Sequence, residues 1–226
     1  IGFDFAFGYP EGLSKALGAH ADWRDVWATI ANEIEDADDN SNNRFDAASR
    51  LNQMFDTDGP FWGNGLQRDI DGLPRTKPKG WGGTLPANKR AAEACVNNAQ
   101  EVWKLSGVGS VGGQALTGIA RLEKMRQARN DLVIWPFQSF GDGRGHLAAE
   151  VFPSLIDIPK VADQPHDKTQ VETLARALHQ LDQAGTLSAL LQAPKDRTDI
   201  LSHEASILGL GHKSLLKKAV NTPIAT

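Results

Sequence analysis

An aspartate in the middle of an apolar run, Ile1-Gly2-Phe3-Asp4-Phe5-Ala6-Phe7-Gly8-Tyr9-Pro10, has the setting in this chain that most needs a chemical reason. Read with period two, Ile1, Phe3, Phe5 and Phe7 share one strand face, and Gly2, Asp4, Ala6 and Gly8 share the other. The first face is core. The second is nearly bare, so a backbone or ligand can approach it closely. An unpaired buried carboxylate costs several kcal/mol, so Asp4 needs a cation, a donor or a cleft beside it. Glu150 repeats the pattern in His146-Leu147-Ala148-Ala149-Glu150-Val151-Phe152-Pro153. Two central strands that each carry one acid on a small-residue face would bring Asp4 and Glu150 together. Paired carboxylates bind Mg²⁺ or Mn²⁺ through oxygen, or divide the work of acid and base. The plainer role for Glu150 is an ion pair with a nearby arginine or a helix cap. Asp199 is a third candidate, four residues before His203 on one face of an expected helix, with Glu204 pointing elsewhere. Helix-dipole stabilisation accounts for Asp199 equally well.

A second kind of chemistry is written in Ser106-Gly107-Val108-Gly109-Ser110-Val111-Gly112-Gly113, just ahead of a helical run. Flexible backbone N–H groups before a helix can cradle an anion, which makes Gly109, Ser110 and Gly112 candidate phosphate contacts, with Arg44 or Lys104 as cation. No Gly-Lys-Ser/Thr follows, so this is not a Walker loop, and no strand precedes it as a dinucleotide fingerprint requires. The six histidines lack zinc spacing, and the single cysteine, Cys95, allows no internal disulfide. Trp62 and Trp81 stand among glycines, where they either pack or line a groove.

These residues have to be positioned by an α/β framework. Trp23, Val26, Trp27, Ile30 and Ile34 recur at helical spacing, and Phe45, Ala48, Leu51 and Phe55 do so over 44–55. Residues 56–90 are rich in Gly and Pro and read as a loop lying over one edge of the core. Helical character returns over 87–105 and again from Gln114 to Arg129. Strands are expected over 131–137 and 146–152. A helix is expected over 167–181 with Asp167 and Gln170 as a capping box, then a short one near 186–191 and another over 199–208. Interleaving of strands and helices predicts a single α/β domain over 1–226, with 35–105 as an inserted helical and loop-rich subregion. Ile1 falls inside a core strand, so the framework is expected to continue upstream.

Composition narrows the function. The 226 residues are 40% apolar and 23% charged with net charge −4. Such a chain has no global basic field for nucleic acid, which a local groove or metal ions would have to hold. No apolar run is long enough to span a bilayer, and with one cysteine the expected setting is cytoplasmic.

Taken in order, IGFDFAFGYP, NNRFDAASRLN (42–52), GPFWG (59–63), SGVGSVGGQALTGI (106–119), VIWPF (133–137) and AAEVFPS (148–154) resemble the DUF429-type predicted nucleases of the ribonuclease-H-like superfamily. The resemblance spans most of residues 1–211. It implies a mixed sheet flanked by helices, with carboxylates around a divalent metal. Asp4 and Glu150 match the acids of two strand motifs, and Asp199 matches one in the last helix. The family's opening strand, which bears its own acid, has no counterpart before Ile1. The implied activity is Mg²⁺- or Mn²⁺-dependent phosphodiester hydrolysis of nucleic acid or nucleotide. The alternatives are a nucleotide- or phosphorylated-cofactor-binding protein and a non-catalytic interaction module.

Overall fold

The computed structural model describes residues 1–57, 59–79, 81, 83–141, 145–192, 197 and 199–221. Its centre is a small sheet of β1 (Gly2–Phe3), β2 (Leu132–Ile134) and β3 (His146–Glu150) in the order β1-β3-β2. Both pairings are parallel, with Phe3 opposite Glu150 and Ile134 opposite Ala148. The expected mixed sheet is therefore, among the described residues, a purely parallel one. β3 is the middle strand, and its Ala148 and Ala149 are buried as parallel strands demand.

β1 is shorter than its alternation predicts. Beyond Phe3 the chain leaves the ladder, but Phe3, Phe5 and Phe7 still gather, with successive ring centroids 5.7 and 5.3 Å apart. Phe7 then meets the edge of Trp27 at 5.9 Å, and the Trp27 indole N–H donates to the Phe7 carbonyl at 2.7 Å. Trp27 lies on α2 (Trp23–Glu33), which starts in a capping box: Asp22 accepts the Arg24 N–H, and Asp25 accepts the Asp22 N–H. Its stripe of Trp23, Val26, Trp27 and Ile30 is buried, and α2 lies along α5 (Gly112–Ala128). The other helices on this side are α1 (Gly12–Leu17) and α3 (Arg44–Asn52).

The 56–90 loop, expected over one edge of the core, instead places Phe61 and Leu73 within the main core. Phe61 and Trp103 are fully buried and pack on Tyr9 at 5.5 and 5.1 Å. Asn52 holds the loop in place, since its amide donates to the Phe61 and Gly72 carbonyls and its oxygen accepts the Phe61 N–H. The helix expected over 87–105 is reduced to α4 (Ala91–Ala94). Backbone groups farther along pair with the loop instead: Trp62 N–H donates to the Trp103 carbonyl and Leu105 N–H to the Trp62 carbonyl.

A second core forms around α6 (His166–Gln183) and α7 (Lys213–Asn221), through Leu174, Ala177, Leu181, Leu216 and Ala219. α6 starts one residue earlier than predicted, with Pro165 at the N-cap, so the Asp167/Gln170 box does not form. α7 was not legible in the sequence, because its short stripe is interrupted by lysines. The helix expected over 199–208 is a single π turn, Ile200–Glu204, closed by Ala205 at φ 61°, ψ −170°. No helix among the described residues is long and apolar enough to cross a membrane.

Candidate active site

Glu150 ends β3 with its carboxylate turned into the protein, where it is 4% exposed. Its partner is Arg90, 1% exposed, at the N-cap of α4. The guanidinium meets Glu150 in a fork, Nη2 to Oε1 at 2.7 Å and Nη1 to Oε2 at 2.8 Å. Arg90 Nε donates to Glu93 Oε1 at 2.8 Å, and Nη1 also reaches the Glu204 carbonyl at 2.8 Å. Glu150 Oε2 accepts the Phe7 N–H at 3.0 Å, and Glu93 Oε2 accepts the Arg90 N–H at 3.0 Å. Arg90 thus ties β3, α4 and the π turn into one knot, to which Glu150 adds the segment after β1 through the Phe7 N–H. Burial pulls the Arg90 pKa down, but Glu150 and Glu93 outweigh it and the net shift is upward. Burial raises Glu93 more than Arg90 lowers it.

Asp4 is different. It is open to solvent on one side, and its carboxylate has no hydrogen-bond partner among the described residues. Protein packed behind it raises its pKa, and the charges of Glu150 and Asp167 add to the effect. The register that sets Phe3 opposite Glu150 brings the two acids to one cavity of about 170 Å³. Asp4, Glu93 and Glu150 line it against the single guanidinium of Arg90, while Phe5, Val111, Phe152 and Ile207 supply apolar wall.

Glu204 joins this knot from the π turn. It is 7% exposed, its Oε2 accepts the Ala91 N–H at 2.7 Å, and burial raises its pKa. Two backbone features put it there. Ala205 holds a conformation that glycine adopts far more readily, which stores on the order of 1–3 kcal/mol beside the site. Gly8 allows the turn to press on the segment after β1, for a Cβ there would lie 2.3 Å from the His203 oxygen and 2.6 Å from the Glu204 carbonyl carbon. Both atoms are backbone and cannot swing away. Gly8→Ala is therefore expected to destabilise by at least about 1–3 kcal/mol, lowering the melting temperature by roughly 2–4 °C per kcal/mol in a thermal scan.

Asp199 lies outside this group. It precedes the π turn, is bound by Arg197 Nε at 2.9 Å, and that pairing holds its carboxyl below the usual range. It does not line the Asp4 cavity. The tertiary structure thus gathers Asp4 with Glu150, and brings Glu204 rather than Asp199 to the knot.

The Gly-rich segment borders a second hollow of about 290 Å³, lined by Asn42, Arg44, Ser110, Gly113, Gln114 and Thr117. Arg44 lies over the Phe45 ring and donates to Asn42 Oδ1 at 2.9 Å. Lys104 instead caps the Gly-rich turn, with Nζ on the Val108 carbonyl at 2.6 Å. The Gly112 N–H is committed to the Lys104 carbonyl at 2.9 Å and is not free for a ligand. Gly109, at φ 73°, packs against the Gln100 side chain, which lines the Asp4 cavity. Gln114 borders both hollows, so the two candidate regions of the sequence share one wall.

No family model, curated protein or solved structure matches this chain. The site therefore has to be judged on its own chemistry. Among the described residues, no group of three or more His, Cys, Asp or Glu side chains is placed to hold a metal ion. Mg²⁺ does not require one, since it keeps several waters and is commonly bound by one or two carboxylates plus substrate phosphate. Asp4 offers unpartnered oxygens, and Glu150 Oε1 has one donor and spare lone-pair capacity. Among the described residues Asp4 is the one of the two acids whose carboxylate oxygens are both free, whereas Glu150 lines the same cavity from within the Arg90 fork.

The sequence reading missed Arg90, Glu93 and Glu204. A signal was present for the first two: Arg90-Ala91-Ala92-Glu93 has the spacing of a capping pair at a helix start. None existed for Glu204, because helical periodicity hides a π turn.

Proposed function

We propose that the chain is a divalent-metal-dependent hydrolase of phosphate diesters, with the Asp4 cavity as its active site. The observation that carries this reading is the unpartnered Asp4 carboxylate at the mouth of a cavity where acids outnumber the single guanidinium. A bound Mg²⁺ or Mn²⁺ would neutralise phosphate charge and lower the pKa of an attacking water. Asp4 would hold that ion, which requires its carboxyl to be ionised. Glu150, fixed in one orientation by the Arg90 fork and the Phe7 N–H, would supply the second oxygen without reorganising. The chain's acidic balance suits a ligand that brings its own cation better than one that needs a basic groove. The test is calorimetric titration with Mn²⁺, followed by hydrolysis of bis(p-nitrophenyl) phosphate with and without the metal. Saturable binding and metal-dependent release of p-nitrophenol are expected; neither occurring in the folded protein would overturn the reading.

The hollow at Arg44 and Ser110 favours a second reading, in which a nucleotide or phosphorylated cofactor is bound without being cleaved. Binding of inorganic phosphate that is lost in Arg44→Ala, with no turnover of any diester, would select it.

A further inference from the structure

We infer that Gln100 is the positioning residue that orients the attacking water in the Asp4 cavity, and that the Gly-rich turn of residues 106–113 serves to seat it. The inference rests on the hydrolase reading. It starts from the polar side chains that line the cavity: Asp4, Arg90, Glu93, Gln100, Gln114 and Glu150. Both oxygens of Glu93 and both of Glu150 accept N–H groups of Arg90 or Phe7, which fixes those acids within the knot. Asp4 is the residue that the hydrolase reading gives to the metal. The two glutamines remain. The Gln114 side chain makes no hydrogen bond among the described residues, so nothing there fixes its amide. Gln100 is held.

Two turns converge on it. Gln100 Nε2 donates to the carbonyl of Asn98, itself at φ 64°, over 3.0 Å. Gly109 closes over the amide from the Gly-rich turn: a Cβ there would lie 3.2 Å from Cδ and Oε1 of Gln100, so any side chain would have to displace the amide. Its φ of 73° favours glycine for a separate reason. The turn is clasped in place by Lys104, whose Nζ donates to the Val108 carbonyl at 2.6 Å and whose carbonyl accepts the Gly112 N–H at 2.9 Å. With Nε2 spent on Asn98, the amide offers a ligand its Oε1, which accepts no hydrogen bond among the described residues. A fixed acceptor selects an O–H donor, and in a hydrolase the donor that must be aimed is the attacking water. In the step itself the water oxygen bonds to phosphorus, and the bond from phosphorus to the leaving oxygen breaks with its electron pair on that oxygen. One water proton, hydrogen-bonded to Gln100 Oε1, stays with the product phosphate monoester. The other leaves to solvent at the open side of Asp4.

The experiment compares the full chain with Gln100→Met and Gly109→Ala in Mn²⁺-dependent hydrolysis of bis(p-nitrophenyl) phosphate. Gln100→Met keeps the length of the side chain and removes the acceptor. It should lower kcat roughly 100-fold, the scale of loss from a misplaced reactant, with KM, Mn²⁺ affinity and melting temperature unchanged. Gly109→Ala, with Gln100 intact, should lower kcat in the same direction. A second readout needs neither metal nor substrate: the Gln100 side-chain amide pair in the ¹H–¹⁵N spectrum, assigned by its loss in Gln100→Met. That pair should exchange with solvent more slowly than the pair of exposed Gln67, and should shift in Gly109→Ala. Wild-type turnover with an unchanged kcat in Gln100→Met, or a loss confined to KM, would overturn the inference and leave the hydrolase reading standing. So would a Gln100 pair that exchanges as fast as that of Gln67. Absence of metal-dependent turnover in the wild type overturns the hydrolase reading, and the role of Gln100 with it.

Discussion

Arg90→Met is expected to lower the melting temperature by roughly 6–20 °C at neutral pH, following from about 3–5 kcal/mol lost when one partner of a buried ion pair is removed. Methionine fills much of the stem's volume, so the effect isolates the charge. Without the guanidinium, Glu150 and Glu93 remain buried at 4% exposure each with only the Phe7 and Arg90 backbone N–H groups to satisfy them. The pH dependence has a definite sign. Glu93 already has a raised folded pKa, and the loss of Arg90 removes what holds it down. A carboxyl with a raised folded pKa contributes stability below its unfolded value and loses it as pH rises through the folded one. The deficit of the variant should thus be smallest under acid conditions and full at neutral pH. The triple variant Arg90→Met/Glu93→Gln/Glu150→Gln should recover part of it, since neutral amides no longer need a counterion. A deficit that is the same at every pH would mean that packing, not charge, dominates.

Asp4→Asn is expected to do the reverse: leave the fold intact and remove metal binding. Asparagine keeps the shape of the side chain and loses the charge that a hard cation requires. Outer-shell partners of metal ligands typically cost about 10–100-fold in affinity when replaced, so a direct ligand should cost at least that in Mn²⁺ titration. Stability should be unchanged or slightly raised at neutral pH, because burial, Glu150 and Asp167 all disfavour the ionised carboxyl that the substitution deletes. The same raised pKa predicts that wild-type Mn²⁺ affinity climbs with pH through a range above that of an ordinary aspartate. The Asn variant should lack that climb. A variant that unfolds, or that binds Mn²⁺ as the wild type does, would remove Asp4 from the site.

The two acids that the sequence singled out do share one cavity, and the reason was legible. The Phe3–Glu150 register sets the ends of β1 and β3 side by side, so that Asp4, the residue after β1, and Glu150 line the same cavity. What was not legible is how differently the two are treated. Asp4 keeps its oxygens free, whereas Glu150 is held by an arginine 60 residues away. No local pattern encodes that distance. Asp199 stands just before the π turn, paired with Arg197 and outside the lining of the cavity.

Composition and periodicity by themselves determined the α/β class, helices α2, α3, α5 and α6, the places of β2 and β3 though both run shorter than expected, and Asp4 as the residue whose charge needs explaining. These depend on local physics: the 3.6- and 2-residue repeats and the cost of a charge among apolar neighbours. Tertiary structure alone decided that Gly8 and strained Ala205 bring Glu204 to the knot, that Arg90 satisfies three segments at once, and that the Gly-rich turn and the Asp4 cavity share Gln114. Those contacts join residues far apart in the chain, and an ion pair or close approach is specified by position in space, which no short window of sequence contains.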